Sequence, residues 1–199
     1  MKKTQIEKKK KYVKSNPQIT AENILNRDFK ADAPNKKWLT DVTEFKLVNG
    51  SKVYLSAILD LGDNSIVSHV ISTSNNNKLV FDTFNLVISN NPTVKPLFHS
   101  DRGFQYTHKA FKAKLDKQEA VQSMSRVARC IDNGPMEGFF GIIKSAMYYL
   151  NKFHTNKFHT FEELKLEIDN YIKFYNEKRL QKKLNGLAPL EYRSQTLIA

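Results

Sequence analysis

Cysteine occurs once in this chain of 199 residues, at Cys130. A lone thiol closes no internal disulfide, and without a second cysteine the zinc knuckles built on CxxC pairs are excluded. Cys130 is therefore read as structural. Nowhere do eighteen or more apolar residues follow one another, so a membrane-spanning helix is not expected. The Lys-rich start also lacks the apolar stretch of a secretory signal. A cytoplasmic protein with no membrane partner is the default expectation. Acids are in deficit: 20 Asp and Glu face 32 Lys and Arg, a formal charge of +12. Such a balance suits a polyanionic partner, nucleic acid above all. The excess is uneven, because residues 1–37 hold eleven Lys and Arg against four acids, or +7, leaving +5 for the rest. A run such as Lys8 to Lys11 also serves solubility alone, so charge by itself identifies no partner.

With 40% hydrophobic residues the chain is long enough for one domain with a real core. Residues 1–35 read as a basic arm, ending in the turn-forming Ala33-Pro34-Asn35. From Lys37 to Val48 apolar and polar residues roughly alternate. Asn49-Gly50 then supplies a two-residue hairpin turn, and Val53 to Leu61 returns as a second strand. Ser65 to Ile71 is β-branched and short, a third strand. Helical spacing over Lys78 to Ile88, a short strand Pro96 to His99, a helix Thr107 to Leu115, a strand Val121 to Met124 and a helix Pro135 to Leu150 follow. The order β-β-β-α-β-α-β-α predicts an α/β fold of RNase H-like type. It would have a mixed five-stranded sheet, three antiparallel strands and then alternating α and β, with flanking helices. This core is placed at 36–150 and a helical C-terminal extension at 151–199, with helices over Phe161 to Tyr175 and Lys178 to Leu184. The extension opens on a tandem copy, Asn151 to Thr155 repeated at 156–160, which is too short for a solenoid repeat. His154 and His159 are explained by that duplication rather than by metal binding.

On the first strand Leu39, Asp41, Thr43 and Phe45 share one face, setting a carboxylate among apolar neighbours. A bare charge there is costly and calls for protonation, a basic neighbour or a metal ion. Asp101 directly follows the strand ending at His99, at the carboxyl end where open α/β sheets place their sites. Glu137 lies in the first turn of a helix opened by Asp132-Asn133-Gly134-Pro135, where an acid also suits the helix dipole. Lys144, seven residues on, falls on the same side. Three carboxylates at one sheet end repel one another. Two Mg²⁺ or Mn²⁺ ions roughly 4 Å apart would neutralise them and activate the oxygens of a phosphodiester.

Trp38-Leu39-Thr40-Asp41-Val42-Thr43 and His99-Ser100-Asp101-Arg102-Gly103-Phe104-Gln105-Tyr106 are two specific blocks. A third is Met124-Ser125-Arg126 with Asp132-Asn133-Gly134-Pro135-Met136-Glu137-Gly138-Phe139-Phe140-Gly141, leaving 35 residues between Asp101 and Glu137. On these blocks, from about Glu22 to Arg193, the chain resembles the OrfB-type insertion-sequence transposases, DDE enzymes of the retroviral integrase superfamily. The resemblance implies that Asp41, Asp101 and Glu137 hold two Mg²⁺ or Mn²⁺ ions and that Lys144 contacts DNA near the reacting phosphate. It implies strand cleavage at transposon ends and strand transfer by 3′-hydroxyl attack, with no covalent protein–DNA intermediate. Double-stranded DNA, a homo-oligomer and an upstream helix-turn-helix segment are the implied partners, and association with bacterial DNA the implied location. Tyr171 to Arg179 and Leu187 to Tyr192 match the family's late segment. Arg102, Arg179, Lys182 and Lys183 are weaker candidates for phosphate contacts. Phe174 and Tyr175 are read as packing residues and Asp60 as a structural acid.

The sequence departs from the family in three places. Val127-Ala128 stands where a basic residue and Gly are usual, the five-residue duplication follows the third block, and no helix-turn-helix is evident. Two rival readings accompany the enzyme: a catalytically silent DNA-binding remnant that competes with active transposase, and a nuclease for RNA–DNA hybrids suggested by fold class alone.

Overall fold

The structure, a computed structural model, describes residues 18–127, 129–149 and 158–198. The Lys8 to Lys11 run, Ala128, Leu150 and the duplication up to Lys157, with His154, lie outside these residues, as does the side chain of Cys130. β1 (Lys37–Lys46), β2 (Lys52–Asp60) and β3 (Ile66–Ser72) form the expected antiparallel meander. The first turn is one residue longer than Asn49-Gly50 predicts. The Leu47 N–H donates to Ser51 O, enclosing Val48, Asn49 and Gly50, and Gly50 sits at φ +83°, where a glycine relieves the twist of a three-residue hairpin loop. β4 (Leu97–Ser100) and β5 (Val121–Met124) add in parallel on the other side, giving the order β3-β2-β1-β4-β5. This is the mixed five-stranded sheet read from the sequence.

Because side chains alternate along β1, each sheet face has its own core. Trp38, Ile58 and Phe98 pack against α1 (Asn77–Asn90) and α2 (Lys109–Lys117), with Phe84 and Phe111 edge to face at 5.6 Å. Leu39, Phe45, Leu55 and Leu59 pack against α3 (Gly134–Ile143) and α4 (Phe161–Glu177), where Phe139 meets Tyr175 at 5.0 Å. Each such residue, fully buried, contributes roughly 1.5–3 kcal/mol. Asn76 caps α1 by accepting from the Leu79 N–H, and Thr160 with Glu163 closes a capping box on α4.

Several elements differ from expectation at their ends. The helix read as Pro135 to Leu150 is α-helical only to Ile143 and continues as a π-helix over Lys144–Tyr149. Residues 178–184 are not a helix. They hold only a 3₁₀ turn, Lys182–Leu184, ended by Asn185 in the left-handed region at φ +56°, and a bridge between Gln181 and Leu187. α5 (Pro189–Ile198) follows, a helix whose start is fixed by a proline that suits the first turn. Phe174 is 46% exposed rather than packed, whereas its neighbour Tyr175 is buried, because only one of two adjacent helix positions can face the sheet. The outer edge of β5 is covered by the segment before β1: Glu22 O accepts from Met124 N, and the Leu25 N–H donates to Ser123 Oγ at 3.1 Å.

At the amino end of β1 a buried ionic cluster ties the last helix to the sheet. Asp60 accepts from Trp38 Nε1 (3.2 Å), Asn35 N (2.6 Å), Gly62 N (2.8 Å) and Arg193 Nη2 (2.8 Å). Arg193 Nε also donates to Asp63, and both aspartates are wholly buried. Asp60 is thus structural, as read. Burial, and then the neighbouring Asp63, push its carboxyl up to about 6. A side chain at Gly62 would place Cβ 2.5 Å from Ala33 O, so the chain passes there only as glycine. Arg193→Ala would strand two buried carboxylates and is expected to lower the unfolding free energy by about 3 kcal/mol. Urea denaturation followed by circular dichroism checks this, and a loss near the exposed-pair value of about 0.5 kcal/mol would show that the latch holds nothing.

Candidate active site

Asp41 lies mid-strand on β1 and Asp101 just beyond the end of β4. The offset of 60 residues that pairs Leu39 with His99 also separates Asp41 from Asp101, so the two carboxylates stand at the same level of adjacent parallel strands. Each is partly tethered. Asp41 Oδ1 accepts from Val42 N at 2.7 Å, and Asp101 Oδ1 accepts from Gly103 N at 2.8 Å. A Cβ on Gly103 would lie 2.9 Å from Asp101 Oδ1, so the tight turn that holds Asp101 depends on the missing side chain. Ser125 N, just past the end of β5, donates to Ser100 O and fixes the turn from the other side.

Burial raises both carboxyls above the usual range. At Asp41 the charge of Asp101, and less strongly that of Glu137, adds to burial and moves the group up to about 7. The floor beneath them is neutral. His99 bonds Ser123 Oγ (2.8 Å) and Ser125 Oγ (3.1 Å), and burial drives its imidazole down to about 4. Tyr106 is buried with its hydroxyl 3.3 Å from Thr40 Oγ1, and burial beside the two aspartates lifts its phenol well above the normal value. Among the described residues neither Asp41 nor Asp101 has a salt-bridge partner.

Glu137 projects from the first turn of α3 and is exposed. Its helix is anchored to β1 where Asn133 Nδ2 donates to Thr40 O at 3.1 Å. Lys144 stands at the junction of α3 and the π-helix with Nζ 5.5 Å from the centre of the Phe45 ring, and burial lowers its pKa while Glu44 and Asp41 favour its charge. The structure therefore brings Asp41 and Asp101 together, with Glu137 and Lys144 on the helix facing them. It does not bring them into a ready ligand set: among the described residues no three His, Cys, Asp or Glu side chains could hold one metal ion. Arg102 is exposed and donates from Nε to Ser125 O at 2.9 Å, beside Asp101. Arg179, over the Tyr175 ring, and the exposed Lys182 and Lys183 lie beyond α4, whose end reaches the β2–β3 turn through Gln181 and Asn64. That is the opposite end of the sheet from Asp101. His159 donates its backbone N–H to the Glu163 carboxylate of the α4 cap, and among the described residues it joins no group of side chains that could hold a metal ion.

Sequence reasoning passed over Asp132. Its wholly buried carboxylate accepts from Arg126, Arg27 and Asn23 and is held well below the usual range, chiefly by Arg126. Its place before a helix and Arg126 six residues earlier were legible, but Arg27 and Asn23, more than a hundred residues away, left no local signal.

The integrase core domain family matches residues 31–130, and a second integrase core domain description matches residues 137–197. The chain belongs to the integrase core family of insertion-sequence transposases. It is 43% identical over 178 residues to the putative transposase InsK of insertion element IS150 from Escherichia coli, spanning 89% of this chain and 61% of that relative. A transposase-like protein of Haemophilus influenzae is 42% identical, over 89% of this chain and 79% of its own length. The transposase of IS904 from Lactococcus lactis is 33% identical, over 93% and 72%. In fold, the integrase-family chain is similar to the catalytic core of HTLV-2 integrase, solved with magnesium (TM-score 0.62, 20% identity, 81% of this chain and 97% of that one). It is also similar to a chain of the simian T-cell lymphotropic virus intasome (TM-score 0.64, 17% identity, 76% and 52%). The RNase H-like fold read from the sequence is thereby shown.

The raised carboxyl of Asp41 makes a testable demand of this integrase core. Its folded value of about 7 lies above the unfolded value of about 3.9, so ionising it opposes folding. The penalty is absent below about pH 4, grows between the two values and is complete above about pH 7. In metal-free buffer Asp41→Asn is expected to stabilise the protein by up to about 4 kcal/mol near pH 8 and by much less near pH 4. Equal gains at both pH values would contradict the charged pair.

Proposed function

We propose that this chain is the catalytic part of a DNA transposase, cleaving strands at transposon ends and transferring them by 3′-hydroxyl attack. One observation carries the reading. Elsewhere in the same molecule each fully buried aspartate is answered by arginine, Asp60 and Asp63 by Arg193 and Asp132 by Arg126 and Arg27. The Asp41–Asp101 pair is partly buried, side by side and without such a partner. That is the condition under which a carboxylate pair takes a cation.

The donors are carboxylate oxygens alone, which suit Mg²⁺ or Mn²⁺ rather than a softer metal. Asp41, Asp101 and Glu137 are the residues that would hold two such ions, Glu137 closing the set from α3. When bound, the ions supply charge neutralisation and activation of the attacking and leaving oxygens. The chain's own residues supply placement: the Asp101–Gly103 turn fixes one carboxylate, Asn133 fixes the approach of α3 to β1, and Lys144 offers a cation to a phosphate near Asp41. His99 and Tyr106 stay neutral beneath and supply no positive charge to compensate the pair. Association into a homo-oligomer, and end recognition by a helix-turn-helix segment, belong to the same proposal. Among the described residues no helix is long and apolar enough to cross a membrane.

Strand joining with end-bearing duplex DNA, using the chain fused to an upstream helix-turn-helix region, tests the proposal. Native protein is expected to need Mg²⁺ or Mn²⁺, and Asp101→Asn to lose roughly a hundredfold or more in rate. Equal rates for the two proteins would remove the site assignment. Binding without joining by the native protein would favour the silent competitor.

A further inference from the structure

Three arginines outside the carboxylate site are fixed at one edge of the guanidinium while the side chain stays exposed. Arg27 donates from Nε to Asp132 Oδ1 at 2.7 Å, Arg126 from Nε to Asp132 Oδ2 at 2.9 Å, and Arg102 from Nε to Ser125 O at 2.9 Å. Arg126 adds a second bond from Nη2 to Asp132 Oδ1 at 2.8 Å. Each guanidinium is thus gripped at its inner edge. Among the described residues the terminal nitrogens of Arg27 and Arg102 meet no acceptor. The side chains of Arg27 and Arg126 are 40% and 48% exposed, and Arg102 is exposed as well.

Asp132 accepts five hydrogen bonds, including Arg126 N at 3.1 Å and Asn23 Nδ2 at 3.0 Å, and is itself out of solvent. Its charge is spent orienting two guanidiniums, which leaves the group with one positive charge in surplus, and Arg102 adds another. A planar fork whose inner edge is already fixed loses less entropy when its outer edge takes an anion. The cluster also has a definite place. Arg102 follows Asp101, and it and Arg126 hold either side of Ser125, whose N–H bonds Ser100 O. Arg27 and Asp132 lie outside the spans 31–130 and 137–197 matched by the family.

We propose that Arg27, Arg102 and Arg126 form a clamp for the phosphates of a DNA strand entering beside the Asp41–Asp101 pair. The inference rests on the nucleic-acid reading above and names the surface that would hold the backbone. The segment before β1, which covers the edge of β5, brings Arg27 to the clamp, so the clamp is complete only with that segment in place. Phosphate contacts of this kind fix position without reading bases.

Fluorescence anisotropy with a labelled duplex of arbitrary sequence and the full chain, over a salt series without divalent ions, tests it. Arg27→Ala and Arg102→Ala are each expected to weaken binding roughly tenfold and to reduce the slope of log affinity against log salt by about 0.9. Arg27→Lys should keep the slope and lose part of the affinity. Lys95→Ala, an exposed charge at the other end of β4, controls for net charge and should leave the slope intact. Arg126→Ala and Arg27→Ala each strip a partner from the buried Asp132 and can impair folding, so Arg102, which holds no buried acid, decides the matter. Unchanged slopes for Arg27→Ala and Arg102→Ala, or an equal drop for Lys95→Ala, would overturn the clamp. Salt-independent or absent binding by native protein would overturn the nucleic-acid reading with it. Because no divalent ion is present, these results are separate from any failure of the carboxylate site.

Discussion

Two carboxylates held side by side at the seam of parallel strands β1 and β4 repel each other, and the protein around them does little to relieve it. The register that pairs Leu39 with His99 sets Asp41 level with Asp101, and the apolar face of β1 keeps water from screening them. The Asp101–Gly103 turn, the Ser100–Ser125 bond and the neutral His99 hold this arrangement rather than compensate it. α3, tied to Thr40 through Asn133, and the π-helix that continues it deliver Glu137 and Lys144 to the same side.

The rest of the molecule shows that uncompensated charge is not its habit. Arg193 reaches from the last helix to Asp60 and Asp63, joining α5 to the amino end of β1. Arg126 and Arg27 converge on Asp132 and join the segment before β1 to the loop before α3. Both arginine clusters bracket the site in the chain and the sheet: Trp38, which bonds Asp60, is three residues from Asp41, and Asp132 is five residues from Glu137. Structural rigidity is thus supplied by satisfied acids on either side of an unsatisfied pair. A divalent cation is the chemistry proposed to satisfy it.

Much of this was legible in the sequence because it is written locally. Alternation from Lys37 predicted β1 and placed Asp41 on the face of Leu39 and Phe45, and strand-then-helix spacing predicted the mixed sheet. What was not legible lies in long-range or competing interactions. Arg193 lies 133 residues from Asp60, and Arg27, the second arginine on Asp132 beside the nearby Arg126, lies 105 residues from it, distances at which no periodicity survives. The helix over 178–184 failed because the apolar residues there serve a turn, with Leu184 buried and Leu180 exposed. Glu137 was found by its motif, yet its exposed position short of a closed ligand set could not be read from spacing.

The central claim is that Asp41 and Asp101 form an uncompensated carboxylate pair, which is proposed to take a divalent cation. Carbon-detected magnetic resonance of the Asp41 carboxyl across pH, without and with Mg²⁺, tests it most directly. The account predicts a metal-free midpoint near the value of about 7 and a fall of that midpoint on adding Mg²⁺. A midpoint in the ordinary range near 3.9, indifferent to Mg²⁺, would contradict it.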